Sequence, residues 1–268
     1  MRLAIVTADG PEHRFVAARL AALEADPPIE AAVFLCERTA RRGWRAALRQ
    51  DPSRFAGRAA RRLWLRAGGD GARRAAALGR VLGPASRAWP PGLEVVPVGR
   101  PREGRLAAAL AAHAPDVIAV YGTGIIPDEA LRQTGTVALN MHTGLSPEYR
   151  GTACAFWPIH DGRPDMVGAT VHECTSAVDG GRIFARGRAA LRRGDDLHAV
   201  FARAVLAGAD LYAEVVGRLA RGEAPEGRPQ DLSLGREYRG TDLTLGAERR
   251  ARRQVRRLSP TWTEAEDA

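Results

Sequence analysis

Asn140 and His142 stand two residues apart in Leu139-Asn-Met-His142, where an apolar run gives way to Thr143-Gly-Leu-Ser-Pro-Glu-Tyr-Arg-Gly151. Residues two apart in a strand point to the same face, so an amide donor and a titratable imidazole share one surface. The run ends there, and open α/β sheets place their ligands at the C-terminal edge of the strands. Asp179, in Thr175-Ser-Ala-Val-Asp-Gly-Gly181, lies in a turn-prone loop between two predicted strands and is able to fold back towards that pair. A hydrogen-bond donor, a proton carrier and a carboxylate are the parts needed to stabilise developing charge and to move a proton. Read singly, each has a plain structural explanation: polar residues at strand ends often only satisfy backbone groups, and Asp-Gly-Gly is a common turn.

The elements that must position these residues follow from the apolar pattern. Short apolar runs occur at Leu3–Val6, Ala31–Leu35, Leu93–Val96, Asp116–Val120 and Thr136–Leu139. Helical spacing follows the first run at Phe15, Leu20 and Leu23, and Arg105–His113 is an alanine-rich helix former. Continuous apolar strands alternating with helices predict an α/β fold with a mostly parallel sheet covered on both faces. Two later β-type stretches are expected at Met166–His172 and Arg182–Ala189. A strong helix is expected from about Asp195 to Arg221, with Val200, Ala204, Leu211, Val215 and Leu219 near one stripe. After Gly222 the chain turns polar and rich in Arg and Glu, and no further strand is expected. The domain reading is therefore 1–222 as one catalytic unit with a helical insert at 38–90, and 223–268 as a short, peripheral C-terminal tail.

Composition narrows the chemistry further. The 268 residues contain no lysine, so all 40 basic residues are arginine. Chemistry built on a lysine amine is excluded: a pyridoxal Schiff base, a Walker A phosphate lysine, the ATP-binding lysine of a protein kinase. Cys36, Cys154 and Cys174 are far apart and odd in number, which fits neither a disulfide framework nor a zinc site. No pair of His or Cys has ligand spacing on one face, so no metal is expected. The first apolar run is too short for a signal peptide and no stretch approaches the ~18 apolar residues of a membrane span, which predicts a cytoplasmic protein without a membrane partner.

The net charge of +9 is concentrated. Between Glu37 and Arg87, fourteen arginines face only Glu37, Asp51 and Asp70, giving +11, so the rest of the chain sums to −2. Trp44, Leu48, Phe55, Leu63 and Trp64 are interleaved with these arginines. Two or three basic amphipathic helices are expected there, broken near Asp51-Pro52 and Gly68-Gly69. Their arginines either coat solvated faces, attract an anionic substrate, or hold nucleic acid or an anionic surface.

Four separated elements carry a resemblance: Asn140-x-His142-x-Gly144, Pro147-x-x-Arg150-Gly151, Gly168-x-Thr170-x-His172 and Asp179-Gly180-Gly181. In order and spacing, from about Asp116 to Arg188, they resemble the formyltransferases that use 10-formyltetrahydrofolate. That family includes glycinamide ribonucleotide, methionyl-tRNA and sugar N-formyltransferases. The resemblance implies a Rossmann-like formyltransferase core, with Asn140, His142 and Asp179 as the catalytic trio. Asn140 and a protonated His142 would donate to the formyl oxygen. Asp179 would orient His142 and favour its charge, and either His142 or Asp179 would take the proton from the attacking amine. The folate donor would lie against Tyr121, Gly122, Thr123, Gly124, Ile125 and Ile126, with Val178 from the loop at 175–178.

Where the purine enzyme has a Gly-x-Gly-Ser-Asn phosphate cradle, this chain departs with Ala8-Asp-Gly-Pro-Glu-His-Arg14, which argues against glycinamide ribonucleotide. His13 and Arg14 either contact an acidic group of the substrate or face solvent on a helix, and Tyr149 and Arg150 are further candidate substrate contacts. His160 and His172 are expected to be structural, and His113 and His198 to sit in helices without a role. A C-terminal barrel like that of methionyl-tRNA formyltransferase is not expected, the 46 residues after Gly222 being few and polar, nor is a regulatory domain before the first strand like that of formyltetrahydrofolate hydrolase. The sugar N-formyltransferase branch looks closest. The expected function is formyl transfer to the amine of a small, anionic metabolite such as a nucleotide-linked amino sugar. The alternative is an RNA-binding or anionic-surface-binding protein on an inactive core, against which the intact trio argues. The tail and the arginine insert are both candidate homodimer interfaces.

Overall fold

A computed structural model describes residues 1–37, 51–131, 136–175 and 177–263. Its framework is a seven-stranded sheet in the order β3-β2-β1-β4-β5-β7-β8. The strands are β1 (Arg2–Thr7), β2 (Glu30–Cys36), β3 (Glu94–Gly99), β4 (Val117–Tyr121), β5 (Val137–His142), β7 (Gly168–Glu173) and β8 (Ile183–Arg188). The first five are parallel, whereas β7 pairs antiparallel with both β5 and β8. The five apolar runs each seed one parallel strand.

Alternation along the strands divides the core into two layers. Leu3, Ile5, Val33, Ala119, Leu139 and Met141 pack with Val16 and Leu20 of α1 (Pro11–Ala21), Leu78 of α3 (Asp70–Leu82), and Val205 and Tyr212 of α7 (Leu197–Ala220). On the other face Ala4, Val6, Phe34, Ile118 and Val120 pack with Leu106 and Leu110 of α4 (Arg105–His113) and Leu131 of α5 (Asp128–Leu131). Leu139 and Met141 thus turn towards α7, leaving Asn140 and His142 on the opposite face of the same strand.

Helix α7 is fastened to the sheet at mid-length. Tyr212 Oη, fully buried, donates to the carbonyls of Leu139 at 2.9 Å and Val120 at 3.3 Å, joining β5 and β4 just before the site. Tyr212→Phe is expected to cost about 1–2 kcal/mol, because both carbonyls lose a buried donor. Urea unfolding with an unchanged m-value measures that loss.

The insert contributes α2 (Pro52–Ala67) and α3, separated at Gly68-Gly69 as the glycine pair predicted. Asp51 caps α2 by accepting from Arg54 N. Trp44 and Leu48 lie outside the described residues. Several insert arginines face the protein. Arg74 pairs with buried Glu12 at 2.6 Å, Arg54 with Asp242 at 3.2 Å, and Arg61 with Glu248 at 2.9 Å. Glu248 lies on α8 (Leu245–Leu258), which also sends Arg252 to Asp70 of α3 at 2.6 Å. His198 Nε2 meets the same Asp70 at 2.9 Å.

The segment after Gly222 corrects the expectation of a strandless, peripheral tail. Arg236–Tyr238 forms a strand, β9, parallel to β6 (Tyr149–Gly151), and α8 packs on α6 (Trp157–His160) and on α2. Tyr238 is buried in a cluster with Leu145, Tyr149 and Trp157. Among the described residues, no helix is long and apolar enough to cross a membrane.

Candidate active site

Asn140 and His142 emerge at the end of β5 and line a cavity of about 480 Å³. The neighbouring strand β7 runs antiparallel with Asn140 opposite His172, and the two side chains meet, Asn140 Nδ2 lying 3.1 Å from His172 Nε2. The loop after β7 then carries Asp179 back over both histidines. Its Oδ2 lies 3.3 Å from His142 Nδ1 and accepts from Gly151 N–H at 2.7 Å, while its Oδ1 lies 3.4 Å from His172 Nε2. Asp179 holds this place with φ at 48°, in the left-handed region that Asp enters more readily than most side chains.

Electrostatics follow from enclosure. Burial alone would push the Asp179 carboxyl up. The charge of His142, the hydrogen bond and charge of His172 and the Gly151 N–H outweigh it and lower the group to about 2. Burial also drives the His142 ring below its ordinary value, and the Asp179 charge and the Tyr149 carbonyl only partly offset this. The neutral ring is therefore favoured near pH 7, with Asp179 kept ionised by Gly151 and His172. This corrects the expectation of a standing positive charge on His142: Asp179 does pull towards it, but desolvation is stronger. His142 Nε2 lies 2.9 Å from the Tyr149 carbonyl and Nδ1 faces Asp179. Both nitrogens thus face oxygens, and a ring so placed is ready to accept a proton.

Gly144 makes this placement possible. A Cβ there would lie against His142 Nε2, the Cys154 Cβ and the Tyr149 carbonyl. Gly144→Ala is expected to cost about 1–3 kcal/mol by overpacking and to displace His142. Thermal unfolding reads the first effect and a His142 proton-resonance shift the second.

The predicted donor wall is assembled on one side of the cavity. Tyr121, Gly122, Gly124, Ile125 and Ile126 line it, and Val178 faces them from the Asp179 loop. Ile125 is 60% and Val178 40% exposed, so two large apolar side chains are held open to the cavity instead of being packed away. Gly122 has φ at 64°, and a Cβ there would strike the His13 ring.

The four residues expected to touch substrate are placed otherwise, and none lines the cavity. His13 is buried behind Gly122, its Nδ1 2.8 Å from Thr7 Oγ1. Arg14 pairs with Asp9 at 2.8 Å and donates to the Arg87 carbonyl. The Tyr149 ring is buried beside Tyr238 and its Oη donates to Asp161, so its part in the site is the backbone carbonyl facing His142. Arg150 donates to the carbonyls of Pro147 and Leu232. In each case nearby protein groups had already claimed the polar atoms.

Two groups that the sequence reading passed over do belong to the cavity. His172, expected to be structural, is one; its signal was the alternation Gly168-x-Thr170-x-His172 opposite Asn140. Glu237, Tyr238, Arg239 and Gly240 form the second, a wall supplied by β9 and the residues after it. The Tyr238 carbonyl accepts from Thr152 N–H at 2.7 Å and fixes that wall. His160 pairs with Asp161 away from the cavity. Among the described residues, no group of three His, Cys, Asp or Glu could hold a metal ion.

The fold is thus that of an α/β protein whose mostly parallel sheet carries an amide, two imidazoles and a carboxylate beside one cavity. Residues 94–216 match the family model described as formyl transferase. Over this segment, a little under half of its length, the chain is similar to the formyltransferase family. Among curated proteins, the methionyl-tRNA formyltransferase of Lacticaseibacillus casei (strain BL23) is 37% identical over 122 residues, covering 45% of this chain and 37% of that protein. That of Anaeromyxobacter dehalogenans (strain 2CP-C) is 32% identical over 181 residues, covering 65% and 57%. The chain thus spans less than two thirds of the length of these relatives. Two solved structures share the fold. A sugar N-formyltransferase from Shewanella sp FDAARGOS_354 has a TM-score of 0.58 at 15% identity, covering 95% of this chain and 88% of that one. Glycinamide ribonucleotide transformylase 1 from Symbiobacterium toebii has a TM-score of 0.54 at 19% identity, covering 86% and 94%.

Proposed function

We propose that the protein is an N-formyltransferase that moves a formyl group from 10-formyltetrahydrofolate to the amine of a small anionic metabolite, such as a nucleotide-linked amino sugar, in the cytoplasm. The observation that carries this reading is the convergence of Asn140, His142, His172 and Asp179 at the floor of a cavity with an apolar wall on one side. The donor fits that wall. Backbone from Tyr121 to Gly124 and the open side chains of Ile125 and Val178 offer a flat pterin ring close approach and apolar contact.

In the reaction the amine nitrogen bonds to the formyl carbon and the bond from that carbon to N10 of the folate breaks. The amine gives up a proton and N10 takes one. Asn140, whose Nδ2 lies 3.1 Å from His172 Nε2, offers an N–H to the formyl oxygen as negative charge develops. The amine proton passes to the His142–Asp179 pair, directly or through a bridging water, and the Asp179 carboxylate 3.3 Å from the ring stabilises the imidazolium so formed. That proton is then available to the departing folate nitrogen.

The test is a titration with a stable formyl-folate analogue, read by intrinsic tryptophan fluorescence and repeated on Asp179→Ala. Saturable micromolar binding is expected, followed by a screen of amines. A folded protein that binds no analogue would overturn the donor assignment. The competing reading, an RNA-binding protein on an inactive core, draws on the basic insert. Yet Arg54, Arg61 and Arg74 are already paired with Asp242, Glu248 and Glu12. RNA affinity that falls steeply with salt, without analogue binding, is the result that would favour it.

A further inference from the structure

After α7 ends, the chain returns along the rim of the cavity. Arg228 exchanges two backbone hydrogen bonds with Ile183, at 2.8 and 2.9 Å, which ties the returning segment to β8. Two residues later Gln230 turns its side-chain amide into the Asp179 loop. Its Nε2 donates to the Asp179 carbonyl at 3.0 Å and also to the Gly181 carbonyl. Among the described residues, no donor reaches its buried Oε1. The amide nitrogen is thus the part of the side chain that is engaged, and it holds two carbonyls of one turn.

The held turn is the strained one. Asp179 sits at φ 48° and is followed by two glycines, so little in the loop itself prevents relaxation to a commoner backbone conformation. The direction of the Asp179 carboxylate depends on that backbone, and one turn places it on the Gly151 N–H, His142 and His172 together. We infer that Gln230 is a positioning residue for the site: it clamps the Asp179–Gly181 turn so that the carboxylate stays against both imidazoles. Gln230 lies beyond residues 94–216, the segment that matches the family model. The catalytic meaning of the clamp rests on the reading of Asp179 given above, but its existence does not.

The experiment therefore reads the site without turnover. In the full chain, the Asp179 carboxyl and the His142 ring are titrated by NMR in wild type, Gln230→Met and Leu234→Ala. Methionine keeps the length of the side chain and removes the two N–H donors. Leu234→Ala alters the same segment at an exposed position. In Gln230→Met the Asp179 carboxyl is expected to rise clearly from about 2, and His142 to fall further as its partner swings away. Leu234→Ala should move neither. If methionine prevents folding, Gln230→Asn, whose donors stop one methylene short, should give the same shifts.

Unmoved titrations in a folded Gln230 variant would overturn the clamp, as would equal shifts in Leu234→Ala. Those results leave formyl transfer standing. Failure of the wild type to bind the formyl-folate analogue, with the titration shifts present, would instead remove the functional reading and leave the clamp in place.

Discussion

Replacing Asn140 by alanine is expected to lower formyl transfer by about 10²–10³-fold, equivalent to about 3–4 kcal/mol of lost stabilisation at the formyl oxygen. The size of the effect comes from where the donor sits. Asn140 is on the rigid end of β5, between β4 and β7, and its amide is already oriented by His172 at 3.1 Å. A donor fixed in this way needs no reorganisation when charge appears. The loss should fall on kcat, with the affinity for the formyl-folate analogue within about threefold of wild type, since the apolar donor wall is untouched. Asn140→Asp should lose as much or more, because it exchanges the donor for a carboxylate facing the developing charge. Steady-state kinetics beside the fluorescence titration separate the two quantities.

Asp179→Asn should be as damaging, at about 10²–10⁴-fold, through its partner. The substitution keeps an oxygen for the Gly151 N–H but removes the charge that stabilises a protonated His142. Because Asp179 raises the His142 value against the opposing effect of burial, its removal lets that value fall further. The acid limb of kcat is then expected to move to lower pH while the plateau drops. Stability gives an independent reading. The folded-state value of Asp179, about 2, lies below the ordinary 3.8. Its contribution is therefore complete above pH 4 and disappears as pH falls from about 4 to 2. It amounts to about 2 kcal/mol. Chemical unfolding of wild type should show that loss in this window, and Asp179→Asn should not.

The parallel sheet was legible because its central strands β1 and β4 are buried on both faces, which writes nearly continuous apolar runs into the sequence. The pairing of Asn140 with His142 was legible for a related reason, since the two-residue period of a strand puts them together whatever surrounds them. His172 was not. A single histidine in an alternating strand says nothing of its register partner, and only the antiparallel pairing of β5 with β7 brings it to Asn140. Strands β6 and β9 are three residues each, and Arg236-Glu-Tyr238 has neither the length nor the hydrophobicity to announce a strand. His13, Arg14, Tyr149 and Arg150 were placed by their position along the chain. Thr7, Asp9, Asp161 and the carbonyls of Pro147 and Leu232 hold them away from the cavity.

The parallel union of β6 with β9 also has a consequence for the order in which the protein is made. Synthesis proceeds at about 5–20 residues per second and N-terminal portions fold first. Every strand of the main sheet precedes Gly222, so the sheet can assemble while the last part of the chain is still within the ribosome. The cavity cannot. A nascent chain that has not yet released Tyr238 lacks the wall beside Gly151 and the carbonyl that fixes Thr152. Ligand binding is thus withheld until Tyr238 has emerged, and arrested translation products that stop between Gly222 and this strand should carry the sheet but lack the cavity.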